Sequence, residues 1–505
     1  MEGGSRSSWF LGPGRYTLLA IALFLFLLRR SWSADWIGDF WIYVATVAEV
    51  AANPLHPRNP LLGNTYAFAF FSPYTWGLGL ISRWAGVGAF ETVGVQGLVN
   101  LALLLGALYA FAVTWLERRT AAFYALLMML FLWGSDPWLF SSFFHLRSLA
   151  YVLPYPSTFA FAMALGTLAA FPRLSGTGSL RWIVVVAPIA AVLWIVHPIN
   201  ALFLWTGLFA FSIGRPRPRR HWLALGAISA STFALAMAWP LFPVRELWFH
   251  QTAMVHGGND SVYNDSMRCL APALLGVPWL LVRLRRNGRD PLAWLAVALG
   301  LFYVYGGVSG QWSYGRLISH AVLMLQLGVA DALATFEEGI GRIRRSSVWR
   351  AALALGVTGL LLAGSWSKAV EPIVRRSGEG DPTWLAFLAR EVGRYDVVLT
   401  DIDTCWYVPS FSGKVVAYPM LLPFVPDHAA RVDAVERFFE ARTSHEERLA
   451  IIARYDVRYV LLAKDHIPDW QDRLEELGPI STRSFSNGDY ELLRIEDGQA
   501  RVAAP

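Results

Sequence analysis

Eleven apolar runs, each close to the length of a bilayer span, constrain this chain more than any other feature. A transmembrane helix needs about 20 mostly apolar residues, and in hydrocarbon the backbone can satisfy its own polar groups only as a helix or a closed barrel. The sequence is 55% hydrophobic and only 16% charged. We therefore predict a polytopic α-helical membrane protein. The predicted spans lie at 15–31, 94–116, 120–135, 155–172, 181–197, 199–214, 221–241, 269–284, 291–308, 317–335 and 349–367.

Arginine placement predicts the orientation of these spans. With the N-terminus inside, the inward segments hold 18 basic residues and the outward loops hold 8. The positive-inside rule therefore favours a cytoplasmic N-terminus, and an odd number of spans then places the C-terminal region outside. Only three of the 43 basic residues are lysines, a bias typical of GC-rich bacterial genomes. The expected location is the bacterial cytoplasmic (inner) membrane.

The charge balance changes near residue 370. From Glu371 to Pro505 acidic residues outnumber basic ones 23 to 16, whereas the preceding 370 residues hold 14 acidic and 27 basic residues. The later part alternates strand-like stretches such as "VRYVLLA" with amphipathic helical stretches, a pattern typical of small α/β domains. We therefore predict a transmembrane domain at 1–370 and a soluble extracytoplasmic α/β domain at 371–505.

The first outer loop, 32–93, is long and opens with two carboxylates in "SADWIGDFWIYVATVAEVAANP". Residues 39–52 fit a helix that ends at a proline, and polar residues recur along it at spacings of three and four. We expect this helix to lie in the outer membrane interface, with its apolar flank in lipid and its polar stripe facing protein or a groove. The stripe consists of Asp35, Asp39, Tyr43, Thr46 and Glu49.

Two interpretations of the stripe remain open. In the first, Trp36 and Trp41 anchor the helix at the headgroup level and the carboxylates only reach water. In the second, a carboxylate held at a groove accepts a proton from an attacking sugar hydroxyl. The second interpretation explains better why the acids share one face with Tyr43 and Thr46.

The layout resembles the integral-membrane glycosyltransferases of the GT-C superfamily, which use polyprenyl-phosphate-linked sugars. The matching stretches are "DWIGDFW" after the first span, the helix "IYVATVAEVAANP", the run "HPRNPLL…FFSPY" and the tail "DVVLTDIDTCWYVPSFSGKVVAY…RYVLL". The resemblance implies a long first outer loop with interfacial helices, an essential acid at the outer end of the first span, and a soluble extracytoplasmic domain.

Within this resemblance Asp39 maps onto the catalytic base, with Asp35 as the alternative. Arginine suits the donor phosphate because its planar fork matches phosphate oxygens. Three arginines of the outer loops are candidates, namely Arg316 in "GQWSYGR", Arg147 in "FFHLRSLAYVLPYP" and Arg58 in the proline-rich loop. Each of them also fits a simple anchoring role at the membrane edge.

Further polar side chains near the outer surface are candidates for substrate binding. His197, between two spans, fits a sugar contact and a plain interfacial histidine equally well. No carboxylate cluster indicates a metal, so we assign no cofactor and no metal, although a divalent ion is compatible with the sequence. "DID" at 401–403 fits a capped turn better than a metal motif. The candidate substrate-binding residues are Tyr43, His56, Tyr155, His197 and Tyr314.

The predicted function is transfer of a sugar from a polyprenyl-phosphate-linked donor to an envelope glycan, lipid or protein on the outer face of the membrane. The resemblance implies that the configuration is inverted. The expected partners are this donor, its acceptor and membrane lipid, with no nucleic acid. A lipid-linked-glycan flippase or a non-catalytic envelope assembly protein is the alternative, although scarce charge within the spans disfavours transport.

Overall fold

The computed structural model describes residues 13–32, 38–63, 66–176, 180–214, 217–242, 244, 259–344, 347–374, 384–422 and 424–496. The chain divides into two compact units. The helical unit contains 1–33, 94–238 and 256–378, and the sheet unit contains 34–93, 239–255 and 379–505. The first outer loop therefore groups with the C-terminal residues, a grouping that the sequence-based division at residue 370 does not anticipate.

Helices account for most of the described residues. Numbered along the chain, the α-helices are α1 Pro13–Trp32, α2 Phe40–Ala52, α3 Pro73–Ala85, α4 Ala89–Leu116, α5 Arg119–Phe131, α6 Leu146–Val152, α7 Pro156–Gly176, α8 Leu180–Val196, α9 Pro198–Ile213, α10 Arg219–Met237, α11 Ser266–Leu270, α12 Val277–Arg286, α13 Pro291–Ser309, α14 Ile318–Arg344, α15 Ser347–Ser365, α16 Glu371–Val374, α17 Leu388–Glu391, α18 Ile402–Cys405, α19 Val408–Phe411, α20 His428–Phe439, α21 His445–Arg454 and α22 Trp470–Leu477.

Each of the eleven predicted spans coincides with a helix or with consecutive helical segments. Among the described residues, six helices are long and apolar enough to cross a membrane, and five shorter apolar helices accompany them. The predicted span at 269–284 is broken, because a 3₁₀ turn at Ala271–Gly276 separates α11 from α12. The prediction of a polytopic helical protein is confirmed.

Two buried carboxylates on α14, Glu337 and Asp331, are paired with basic side chains. Glu337, on α14, accepts hydrogen bonds from Arg15 Nη2 at 2.6 Å and from the Tyr124 hydroxyl at 2.8 Å. Asp331, two turns earlier, accepts from Arg118 Nη1 at 2.6 Å and from the Trp279 indole at 2.8 Å. Burying an unpaired charge is far more costly than burying a paired one, so these contacts fix α14 against its neighbours.

The sheet unit is built on five strands, β1 Val397–Leu399, β2 Lys414–Val415, β3 Val457–Ala463, β4 Ser481–Ser486 and β5 Tyr490–Ile495. Their order is β2-β1-β3-β5-β4, with β2, β1 and β3 parallel and β5 and β4 antiparallel. β4 and β5 form a hairpin joined through Asn487-Gly488, a dipeptide typical of hairpin turns. Buried apolar residues cover both faces of the sheet, as parallel strands require. The predicted α/β character is confirmed.

Helices α2 and α3 of the first outer loop belong to this unit. They pack closely at Gly79, where a Cβ atom would lie 2.4 Å from Val50 Cγ1. The backbone of the loop also joins the sheet, because the Val415 amide donates to the Leu61 carbonyl at 2.8 Å. The Ser410 hydroxyl donates to the Trp41 carbonyl at 2.8 Å. Helix α2 was predicted at 39–52, but the expectation that its apolar flank faces lipid is wrong, since its apolar residues are almost all buried.

The polar stripe of α2 ends in a buried network around Glu49, which is 1% exposed. One carboxylate oxygen lies 3.4 Å from Lys414 Nζ, and the other accepts from the Arg58 amide at 2.9 Å and the Tyr395 hydroxyl at 3.3 Å. The Asn53 side-chain amide also donates to this second oxygen at 3.2 Å. Tyr43, Thr46 and Glu49 of the predicted stripe therefore face protein, and two partners of the Glu49 carboxylate, Lys414 and Tyr395, come from the C-terminal part of the chain.

Replacing Glu49 by Gln is expected to destabilise the protein in a pH-dependent way. The substitution leaves the Lys414 ammonium buried without its anion, a change that typically costs about 3 kcal/mol. Burial lowers the pKa of Lys414 to about 8. Above that pH the folded protein has released this proton while the unfolded chain still holds it, so the stability conferred by this group rises with pH and is lost as pH falls through about 8.

Without Glu49 the pKa of Lys414 falls further, so the deficit is expected to be largest near pH 6 and smaller at pH 9. The measurement is the thermal unfolding midpoint of purified full-length protein at several pH values. Asp433→Asn, which removes an exposed ion pair with Arg437, is the matched control and should cause no measurable change. A deficit for Glu49→Gln that is equal at pH 6 and pH 9 would contradict this account.

Candidate active site

The sequence-predicted site residues fall into both compact units. In the sheet unit, Asp39 is the residue before the first turn of α2, and it is partly exposed. Gly38, just before it, has a φ of +60°, and its carbonyl accepts from the Trp406 indole at 3.0 Å. A non-glycine residue seldom adopts this backbone conformation. Gly38 therefore fixes the direction in which the chain enters the helix. Asp35 lies outside the described residues.

The Asp39 side chain does not act as a helix cap. It makes no hydrogen bond to the amides of the first turn, although aspartate is among the preferred residues at this position. The neighbouring helix α3 is capped fully, because the Ser72 hydroxyl accepts from the Thr75 amide at 3.3 Å and the Thr75 hydroxyl accepts from the Ser72 amide at 3.0 Å. The Asp39 carboxylate therefore does not have a helix-capping role.

The other sequence-predicted residues of the sheet unit lie along the same loop. The Arg58 guanidinium is placed over the Tyr395 ring, 4.6 Å from its centroid, and Arg58 is exposed. His56 is also exposed. Tyr43 is buried and meets Phe70 edge-on, with ring centroids 5.9 Å apart.

In the helical unit, Arg316 and His197 are held by two successive serines. Arg316 Nη2 donates to the Ser141 carbonyl at 2.8 Å and also to the Ser141 hydroxyl. The Ser142 hydroxyl lies 3.5 Å from His197 Nε2. Ser142 is fully buried and has a φ of +74°, a conformation that is uncommon for residues other than glycine and often occurs at functional sites.

A chain of hydrogen-bonded, buried polar side chains continues from His197 into the spans. His320 Nε2 donates to the Asn200 side-chain oxygen at 2.7 Å, and Asn200 Nδ2 donates to the Ser157 carbonyl at 2.9 Å. The Asn200 backbone amide donates to His197 Nδ1 at 3.4 Å, so that the His197 side chain caps the start of α9. Buried polar groups of this kind inside spans point to function more often than to packing. Sequence reasoning missed His320 and Asn200, although a histidine within an apolar span was a usable signal.

The remaining sequence-predicted residues of the helical unit lie within five residues of members of this cluster along the chain. Tyr314 lies two residues before Arg316 in the 3₁₀ turn Trp312–Leu317, and its ring stacks on Phe302 with centroids 5.9 Å apart. Tyr155 is buried just before α7. Arg147 is partly buried on α6.

His145, which caps α6, holds the loop that carries Ser141 and Ser142. Its Nδ1 accepts from the Ser148 amide at 3.2 Å, so its Nε2 carries the proton and donates to the Trp138 carbonyl at 2.9 Å. Burial lowers the pKa of His145 to about 4. The imidazole therefore stays neutral at physiological pH and keeps one hydrogen bond donated and one accepted.

No protein-family model matches this sequence, and no curated protein matches it. Solved structures do resemble it. AglB, an archaeal oligosaccharyltransferase from Archaeoglobus fulgidus in complex with an inhibitory peptide and a dolichol-phosphate, superposes with a TM-score of 0.59 at 11% identity, over 88% of this chain and 69% of AglB. ArnT from Cupriavidus metallidurans bound to undecaprenyl phosphate gives a TM-score of 0.51 at 12% identity, over 97% of this chain and 99% of ArnT.

The arabinofuranosyltransferase AftD from Mycobacteria gives a TM-score of 0.56 at 15% identity, over 92% of this chain and 40% of AftD. These three proteins share the GT-C architecture. The chain has the GT-C fold. At these identities the likeness establishes the fold, and it confirms the GT-C resemblance seen in the sequence. The near-complete mutual coverage with ArnT shows that the GT-C fold here extends over both the spans and the sheet unit.

Because Asp39 does not cap α2, Asp39→Asn removes no capping hydrogen bond, and we expect it to lower the stability of the protein less than Ser72→Ala does. Ser72→Ala removes a real capping box and should lower the free energy of unfolding by about 1 kcal/mol. The thermal unfolding of both variants in detergent, monitored by tryptophan fluorescence, compares their stabilities directly. A larger loss of stability for Asp39→Asn than for Ser72→Ala would mean that this carboxylate has a structural role.

Proposed function

We propose that this chain is a glycosyltransferase that moves a sugar from a polyprenyl-phosphate-linked donor to a hydroxyl-bearing acceptor at the outer face of the cytoplasmic membrane. The observation that supports it most is the shared GT-C fold with AglB and ArnT, whose structures contain dolichol-phosphate and undecaprenyl phosphate respectively. The acceptor class on this proposal is an envelope glycan, lipid or protein.

In the proposed reaction Asp39 is the general base. Its carboxylate accepts the proton of the acceptor hydroxyl as that oxygen forms a bond to the anomeric carbon of the donor sugar. The bond from the anomeric carbon to the phosphate oxygen breaks at the same time, and polyprenyl phosphate leaves with the bonding electrons. Direct displacement of this kind inverts the configuration at the anomeric carbon. Asp35 is the alternative base.

Arg316 is proposed to bind the departing phosphate. Its guanidinium stands at the outer edge of a buried polar chain, and the Ser141 carbonyl and hydroxyl fix its orientation. A preorganised cation stabilises charge that develops on a leaving group without having to reorganise during the reaction. Arg147 and Arg58 are the alternatives. Arg147 is partly buried in the helical unit, whereas Arg58 is exposed in the sheet unit.

On this proposal the spans of the helical unit bind the polyprenyl tail of the donor. We place the N-terminus in the cytoplasm and the sheet unit outside the cell membrane, as the arginine distribution favours.

The base is tested by transfer from a panel of radiolabelled polyprenyl-phosphate sugars to membrane extracts. Asp39→Asn is expected to reduce transfer by about 100-fold or more, the contribution that a positioned general base typically makes. Asp433→Asn, on the exposed face of α20, is the matched control and should retain full transfer. Equal transfer by Asp39→Asn and the unmodified protein would remove Asp39 from this role, and Asp35→Asn then tests the alternative. If no donor supports transfer, a liposome flipping assay with the same lipids tests the transport alternative.

The phosphate site is tested by Arg316→Lys and Arg316→Ala in the same assay. Lysine keeps the charge but loses the planar fork, so kcat should fall by roughly tenfold for Lys and more for Ala, as expected when a contact is strongest in the transition state. Arg289→Lys, at an exposed inner loop, is the control and should have no effect. Unchanged kcat for Arg316→Ala, with Arg147→Ala inactive, would transfer the role to Arg147.

A further inference from the structure

A cluster of metal-ligating side chains lies in the sheet unit, at the edge of the sheet. It consists of Asp401, Asp403 and His466, whose ligand atoms all lie within 4.8 Å of one another. Asp401 follows β1 and His466 follows β3, two strands that are adjacent and parallel. The carboxyl ends of parallel strands meet at one edge of a sheet, which is why residues 65 positions apart converge there.

The position of the cluster in the sheet independently favours a ligand. After β1 the chain passes through α18 and α19 to β2 on one side. It then returns through α20 and α21 to β3 on the other side of β1. The connections therefore diverge between β1 and β3. In open α/β sheets, ligands bind in the crevice that such a switch of direction opens at the carboxyl ends of the strands.

The geometry of the donors suits one small cation. His466 Nδ1 lies 3.3 Å from Asp401 Oδ1. Two ligands of a tetrahedral ion, each about 2.0 to 2.2 Å from it, lie roughly 3.3 to 3.6 Å apart. Asp401 Oδ1 also accepts from the Thr404 amide at 2.9 Å and so caps α18. A carboxylate has about four lone-pair directions, so the cap and a metal bond are compatible.

We propose that Asp401, Asp403 and His466 bind a divalent transition-metal ion of the zinc and manganese class, with water completing the coordination shell. One imidazole and two carboxylates form a mixed nitrogen and oxygen donor set, which suits these ions better than calcium or magnesium, since those prefer oxygen alone. Asp403 and His466 are exposed, so the ion enters from solvent. Binding joins the loops after β1 and β3, and the site is independent of the proposed transferase chemistry.

The test uses full-length protein in detergent, treated with chelator and then titrated with Zn²⁺ alone and with Mn²⁺ alone. Isothermal titration and metal analysis after dialysis should show saturable binding at this site. His466→Ala should weaken the affinity by about tenfold or more. His445→Ala is the matched control, because it removes an exposed histidine that also lies beside a carboxylate, Glu476, at 3.1 Å. The His445→Ala variant should bind the metal ions with the affinity of the unmodified protein.

Asp403→Asn is the second variant, since this exposed side chain is not the cap of α18 and its loss should not impair folding. It should also weaken binding, and the rise in thermal unfolding midpoint that the metal causes should shrink in both variants. Two results would overturn the proposal. One is the absence of saturable binding of either ion to the unmodified protein. The other is unchanged affinity in a folded His466→Ala or Asp403→Asn variant.

Discussion

Hydrocarbon offers no hydrogen-bonding partner, so any polar side chain within the spans must find its partner in the protein itself. Helix α14 shows how this requirement organises the helical unit. Near its start His320 binds Asn200 of α9, at its middle Gln326 donates to the Leu132 carbonyl at 3.0 Å, and near its end Glu337 binds Arg15 of α1. Each pair fixes the rotation of α14 against a different neighbour. The polar chain that begins at Arg316 is therefore held on the element that the rest of the unit packs around.

The same requirement operates in the sheet unit through one carboxylate. Glu49 is satisfied because the loop after α2, the turn before β1 and the strand β2 bring Arg58, Tyr395 and Lys414 to it. A lysine–glutamate pair buried to this degree contributes little net stability compared with apolar residues, but each member is costly to bury alone. The pair therefore selects one register of α2 on the sheet. That register in turn sets where Asp39, one residue before the helix, is presented.

Elements that depend on local periodicity could be predicted from the sequence. The eleven spans, α2, α3 and the closing hairpin all follow from apolar spacing, proline or Asn-Gly signals. The side-chain contacts between these elements could not be predicted, because each contact joins positions far apart in the chain. Glu49 and Lys414 are 365 residues apart, and Arg316 and Ser141 are 175 apart. The face of α2 that meets protein was misjudged for the same reason, since a hydrophobic flank looks alike whether lipid or protein covers it.

The cluster at the sheet edge shows the limit of motif reasoning most clearly. "DID" after a strand indicates a capped turn, and Asp401 does cap α18, so that interpretation is confirmed. It does not extend to His466, because this side chain comes from a separate loop, and the strand order β2-β1-β3 places that loop beside the first. Metal motifs can be recognised when their ligands share one helix or one short loop. When the ligands follow different strands of a parallel sheet, the sheet order itself is the signal, and that order depends on crossover connections that single-sequence periodicity does not encode.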